Sequence, residues 1–248
     1  MALNAKKVPK TGGNFVEQPV LEPSTYPARI VQVLDLGMQA QRPYKGEAKP
    51  PAHEIMITYE LLDEFMLDAD GEEIEDKPRW LSETFPLHNL EADLAKSTKR
   101  YKALDPDDKF DGDFTLLVES PCMVTTANNA GQGKNVGKTY TNVMSVSVMR
   151  TKDARNAPAL VNPPKVFVLD EPDMTIFKSL PEWLQEKIST NLEMQGSALE
   201  EALEDAPDEE EEEEAPKAKA KPKKPAKAPA EPAEEEEDDM GEEDEPKW

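Results

Sequence analysis

Cysteine is almost absent. Cys122 is the only one, so no intrachain disulfide framework holds this fold. Histidine is nearly as scarce: with only His53 and His88, a Cys/His zinc site or a Cys–His nucleophilic pair lacks parts, and no catalytic residue, metal or cofactor is expected. Long apolar runs are missing as well. No window approaches the roughly eighteen apolar residues of a membrane helix. The lysines of Met1 to Lys10 have no apolar run behind them, so neither secretion nor a membrane partner is expected, and the chain reads as soluble and cytoplasmic. Hydrophobic residues make up 37% of the chain, short of the roughly 45–50% of globular proteins. Part of the chain therefore builds no core.

What is abundant is negative charge, and it is unevenly placed. Residues 201–248 hold 21 acids and 7 lysines, a balance of −14 out of −23, which leaves −9 on residues 1–200. Leu203, Met240 and Trp248 are the only large apolar side chains in that last stretch. It cannot bury enough surface to offset the ordering of its backbone, and residues 204–248 are read as a disordered acidic tail. Within it, Lys217 to Lys227 separate two acidic blocks whose charges neutralise them within a Debye length of about 8–10 Å, so this block is a linker. Residues 1–24 are polar, with Lys6, Lys7 and Lys10 close together, and read as a flexible arm.

Between arm and tail the pattern is that of strands. Tyr26 to Gly37, with Ile30, Val31, Val33, Leu34 and Leu36, is apolar on both faces, as a central or strongly curved strand is. His53 to Leu62 alternates Ile55, Ile57, Tyr59 and Leu61 against Glu54, Thr58 and Glu60, a half-buried strand. Asp68-Ala69-Asp70-Gly71 is a turn leading into a third strand, Arg79 to Leu87, so strands two and three form a hairpin. Leu90, Leu94, Tyr101 and Leu104 recur at helical spacing after Asn89, a cap, with Lys96, Lys99, Arg100 and Lys102 on the other faces. Pro121 to Thr126 and Thr139 to Met149 are two more strands. The second alternates Tyr140, Asn142, Met144, Val146 and Val148 with Thr141, Ser145 and Ser147, and the Gly-rich loop Asn128 to Lys138 joins the pair.

Three strands, a helix and two strands is the order of a five-stranded Greek-key barrel of the OB-fold type, here over residues 25–150. A Pro-rich connector around Pro163-Pro164 follows. From Met174 to about Leu203 comes an amphipathic segment with Ile176, Phe177, Leu180, Trp183, Leu184 and Ile188, read as helices that pack on the barrel or on a partner. Two motif fragments fail. Gly137-Lys138-Thr139 ends like a phosphate-binding loop, but Gln132 stands where the pattern needs glycine and strands lie on both sides. Asp68, Asp70 and Gly71 suggest a calcium loop, but the register puts Met66 in the first ligand position and Lys77 in the twelfth.

This strand order, together with the acidic stretch closing on Glu242-Glu243-Asp244-Glu245-Pro246-Lys247-Trp248, resembles bacteriophage single-stranded DNA-binding proteins, which pair an OB-fold with an acidic tail and an aromatic end; Pro23-Ser24-Thr25-Tyr26 leading into Ile30-Val31 resembles the strand entry of a related group of phage proteins. The resemblance implies sequence-independent binding of single-stranded DNA in replication, recombination or repair, in the host cytoplasm. It also implies docking of replication proteins such as a polymerase or helicase on the tail through Glu242, Glu243, Asp244, Glu245 and Trp248. A homodimer is compatible with it.

Coating a strand needs cations for phosphates and aromatic faces for bases. The loop between strands one and two carries Arg42, Tyr44, Lys45 and Lys49; the loop between strands four and five carries Lys134 and Lys138 beside Tyr140. Those two loops wall the groove of such a barrel. Tyr59 and Trp80 lie on the strands between, where an aromatic fills a core more often than it stacks a base. The tail spans roughly 40 Å by root-length scaling, against a radius of gyration of about 15 Å for a folded domain of this size, long enough for its carboxylates to reach the groove; competition with DNA is therefore expected, the alternative being a tail that only solubilises, as most acidic runs do. A different class of function, an acidic protein-interaction factor or DNA mimic that never touches nucleic acid, is favoured by the −9 on residues 1–200. A virion structural role is disfavoured because the charged tail adds no packing surface.

Overall fold

The computed structural model describes residue 16 and residues 18–205. Most of the arm, the Lys217–Lys227 block and the proposed tail contacts from Glu242 to Trp248 lie outside them.

The fold is mainly β. Strands β1 (Thr25–Gln39), β2 (Ala52–Leu67), β3 (Glu73–Pro86), β4 (Pro121–Ala130) and β5 (Thr139–Val148) form an antiparallel ladder in the order β3-β2-β1-β4-β5. A short sixth strand, β6 (Lys165–Phe167), adds to β1 in parallel. β1 is buried on both sides because it serves two cores. Ala28, Ile30 and Val33 face a first cluster with Ile55, Ile57, Tyr59, Leu61, Leu81 and Phe85, while Leu34 and Leu36 face a second with Met56, Phe167 and Phe177. Ile30 and Val33 share a face despite their odd spacing because the β1–β2 register shifts between Ile30 and Gln32, an extra residue that resets the alternation.

The hairpin turn forms where the sequence placed it. Gly71 adopts φ +84°, and the Asp68 carboxylate accepts from the Asp70 and Glu72 N–H groups at 2.9 Å. Helix α1 (Lys96–Leu104) is shorter than its periodicity suggested. Asn89 does not cap it: the side chain accepts from Glu91 N–H within its own turn, and residues 89–95 make successive turns that leave Leu94 89% exposed. Nor does Arg100 face outward. It is buried, and its guanidinium donates to both Glu83 carboxylate oxygens at 2.7 and 3.0 Å and to the Val143 and Met144 carbonyls at 3.2 Å. One side chain of α1 thus links β3 to β5, the two ends of the ladder.

The strand β5 also departs from simple alternation. Thr125 pairs Ser145 but Thr126 pairs Val143, so Met144 is the extra residue. Val146 and Val143 consequently face the first core, and Tyr140, Met144 and Val148 are exposed.

After β5, helix α2 (Thr151–Asn156) and a connector lead to β6, then to α3 (Met174–Lys178), α4 (Glu182–Ser189) and α5 (Ala198–Glu204). The expected amphipathic helices are these three short pieces. Asp173 caps α3 by accepting from Thr175 and Ile176 N–H, and Ser197 caps α5 by accepting from Glu200 N–H. Phe177, Leu180, Leu184, Ile188 and Leu199 close the second core against Leu34, Leu36 and Met56. Trp183, in contrast, is 57% exposed. Gly37 marks how close this layer sits: it has φ +73°, and a Cβ there would come within 2.7 Å of Leu169 and 2.8 Å of Asn191. No helix among the described residues is long and apolar enough to cross a membrane.

Candidate nucleic-acid interface

The loop between β1 and β2 is a built turn. Tyr44 and Glu47 exchange two backbone hydrogen bonds of 2.9 and 3.0 Å around Lys45 and Gly46, both at positive φ, 52° and 84°, a two-residue hairpin geometry in which glycine carries no steric cost. The Tyr44 ring is 60% exposed. Lys45 Nζ lies 5.3 Å and Lys49 Nζ 5.0 Å from its centroid, within the range where a cation over an exposed ring contributes about 0.5–1 kcal/mol. At the loop's root, the Glu54 carboxylate accepts from Gln41 Nε2 at 2.8 Å and pairs with Lys187 Nζ at 2.7 Å, tying the turn to α4. Arg42 is exposed on the same loop.

The loop between β4 and β5 closes differently. Gly131 N–H donates to the Lys138 carbonyl at 2.7 Å, and a Cβ at Gly131 would come within 2.1 Å of the Asn135 carbonyl oxygen. Lys134, Lys138 and Tyr140 are exposed around this turn. The ladder sets the two loops at opposite ends of β1. The first leaves Gln39, which pairs Ala52, whereas β4 pairs β1 only over Thr25–Arg29 and runs on beyond it to Ala130. They do not form one cluster.

Of the two aromatics on the strands, Tyr59 is a core residue. It is fully buried, its hydroxyl donates to Glu83 Oε1 at 2.9 Å, and burial, with the Glu83 carboxylate beside it, pushes its pKa well above the ordinary phenol value. A ring in that position is not available to stack a base. Trp80 is different. It is 40% exposed on β3, opposite Glu60 of β2, and its indole N–H donates to Glu60 Oε2 at 3.0 Å.

Glu60 and Arg29 add a polar clip that the sequence pattern does not signal. They are register partners on the adjacent strands β2 and β1. Glu60 is fully buried and also accepts from the backbone N–H groups of Val161 and Asn162 at 2.7 and 3.3 Å and from Asn162 Nδ2 at 2.7 Å. Arg29 donates to the carbonyls of Pro158, Glu119 and Ala157 at 2.6, 2.7 and 3.1 Å. Together they clip the connector 157–162 to the outer face of the sheet. The alternation did place Glu60 on the side opposite the core, but nothing in the pattern signalled that a connector a hundred residues later covers it.

At the β1 end near the first loop, His53 Nε2 and Asp35 Oδ1 are 2.6 Å apart. The hydrogen bond to Asp35 raises the His53 pKa against the opposing effect of partial burial. Burial works against the Asp35 carboxylate, but the hydrogen bonds from His53 and from Gly37 N–H outweigh it and hold its pKa below the usual value. Asp35 and His53 border an apolar cavity of about 180 Å³ with Phe114 and Phe167. Cys122 is buried without a disulfide partner, and burial pushes its thiol up to about 12. Among the described residues no group of His, Cys, Asp and Glu side chains is arranged to hold a metal ion. Neither a family model nor a curated protein matches the chain.

Proposed function

We propose that this protein is a non-enzymatic, sequence-independent binder of single-stranded DNA of the bacteriophage type, acting in replication, recombination or repair. The observation that carries the proposal is the first loop: a half-exposed tyrosine ring with two lysine ammonium groups within about 5 Å of its centroid and Arg42 beside it, on a turn whose root is tied to α4. A ring and cations held together on one exposed turn offer a base a stacking face and the adjoining phosphates their counter-charge. Stacking on an aromatic contributes about 1–3 kcal/mol per base and is indifferent to base identity, because every base has a π-face.

The architecture supports the same reading. The strand order β3-β2-β1-β4-β5, with a helix between β3 and β4 and Arg100 reaching from α1 to both end strands, is compatible with an OB-like barrel. In such a barrel the first loop and the loop carrying Lys134, Lys138 and Tyr140 wall the groove, and Trp80 on β3 lies between. The tail, by its 21 acids over residues 201–248, competes with phosphates for the loop lysines when DNA is absent. When DNA displaces it, Glu242 to Glu245 and Trp248 are presented to replication proteins. Titrating the chain with an oligo-dT strand at two salt concentrations tests the proposal, since phosphate neutralisation releases counterions and binding must weaken steeply with salt.

One observation favours a second reading. Residues 1–200 carry a net −9, and Trp183 and Leu192 are both exposed on the C-terminal layer, a combination suited to an acidic factor that binds another protein. Salt-insensitive capture of a protein partner, with no oligo-dT binding, is the outcome that would select it.

A further inference from the structure

The tethering of Trp80 goes beyond its being exposed. Tyr59 and Leu81 are register partners facing the first core, so their neighbours Glu60 and Trp80 face the other way. There Ser82 and Thr84 are also exposed on β3. An exposed tryptophan on a strand ordinarily samples several ring orientations. Here the indole N–H is bonded to a carboxylate that is itself fully buried and held by Val161 N–H, Asn162 N–H and Asn162 Nδ2.

We infer that Glu60 is a positioning residue: its bond to the indole N–H fixes the Trp80 ring, making a preformed stacking face on β3. A ring already held in place loses little freedom when a base stacks on it, so the bond raises affinity without Glu60 touching the ligand. An acidic side chain inside a DNA-binding face is otherwise unfavourable. Its burial under the connector removes it from the phosphates, while the polarity of the bond to the indole is retained. The ligand in this inference rests on the single-strand reading above; the positioning of Trp80 does not.

The test uses the full chain with Trp183→Phe and Trp248→Phe, which leaves Trp80 as the only tryptophan of three. Glu60→Gln retains one acceptor oxygen for the four N–H donors. Should it melt below the assay temperature, Glu60→Asp, which withdraws the carboxylate by one methylene, takes its place with the same expectations. Time-resolved anisotropy of Trp80 should show faster local ring motion in the variant, and unchanged ring motion overturns the inference. Affinity for oligo-dT, measured with a strand-borne fluorophore, should fall about three- to tenfold on Glu60→Gln in the parent chain and hardly at all when Trp80 is already phenylalanine, which lacks the N–H. An equal loss in both backgrounds means Glu60 acts by some other route and also overturns it. If the parent does not bind oligo-dT but the ring loosens, the single-strand reading fails and the positioning of Trp80 stands.

Discussion

Replacing Arg100 by methionine tests the contact that joins the two ends of the sheet. Arg100 and Glu83 are each only 7% exposed, the guanidinium makes two bonds to the carboxylate, and it also satisfies the carbonyls of Val143 and Met144. Methionine fills similar volume but leaves a buried carboxylate and two carbonyls without that partner. Removing one member of a buried ion pair costs about 3–5 kcal/mol. Lys96 still reaches Glu83 at 2.8 Å from a half-exposed position, and Tyr59 still donates to it, which places the expected loss near the lower end, about 3 kcal/mol. For a domain of this size that corresponds to a fall of about 6–12 °C in Tm, read by calorimetry and by urea unfolding. Adding Glu83→Gln to Arg100→Met should recover about 1–2 kcal/mol, because the unpaired charge is gone and the two sites are coupled. A Tm within a degree or two of the parent for Arg100→Met, or strict additivity in the double variant, would refute the claim that this pair clasps β3 to β5.

Two further outcomes are expected. Tyr44→Ala should weaken oligo-dT binding about 5- to 150-fold, the equivalent of one lost base stack, whereas Tyr44→Phe, which keeps the ring and its two cations, should bind within about twofold of the parent. The His53–Asp35 pair predicts a pH dependence with a defined sign: the His53 pKa is raised by folding, so its contribution is complete below the ordinary imidazole value and is lost as pH rises through the folded one. The urea midpoint should therefore drop more between about pH 6 and about pH 9 in the parent than in Asp35→Asn. Parallel profiles would contradict the pairing.

Much of this fold is legible in the sequence because strands with one buried face write their register as alternation. Ile55, Ile57, Tyr59 and Leu61 do so without ambiguity, and Asp68 to Gly71 announces the turn that follows. β1 is legible for the opposite reason: its lack of alternation reports burial on both faces, and the second core under α3, α4 and α5 is what buries the far side. Alternation misleads where a single residue breaks the period. Met144 is extra in β5, so the side of the strand that alternation selected splits between core and solvent. α1 was drawn too long because Leu90 and Leu94 keep helical spacing although the backbone there is a chain of turns.

In sequence Arg100 looks like its exposed basic neighbours, since nothing local distinguishes an arginine that will meet a buried glutamate from one that will not. β6, which follows Pro163-Pro164 directly, is only three residues long and too short to carry a pattern. At the candidate site the loop cations and Tyr44 were visible from composition. The burial of Tyr59 and the Glu60–Trp80 bond depend on partners distant in sequence.

The most direct test of the central claim is a fluorescence titration with unlabelled oligo-dT at low and moderate salt, for the full chain and for a version ending at Asp205. Three single-strand phosphate contacts from Arg42, Lys45 and Lys49, at about −0.7 each, set a slope of log K against log salt of about −2. The account predicts saturable binding with a slope at least that steep, and tighter binding by the shorter chain. No saturable binding by either version, or binding indifferent to salt, would contradict it.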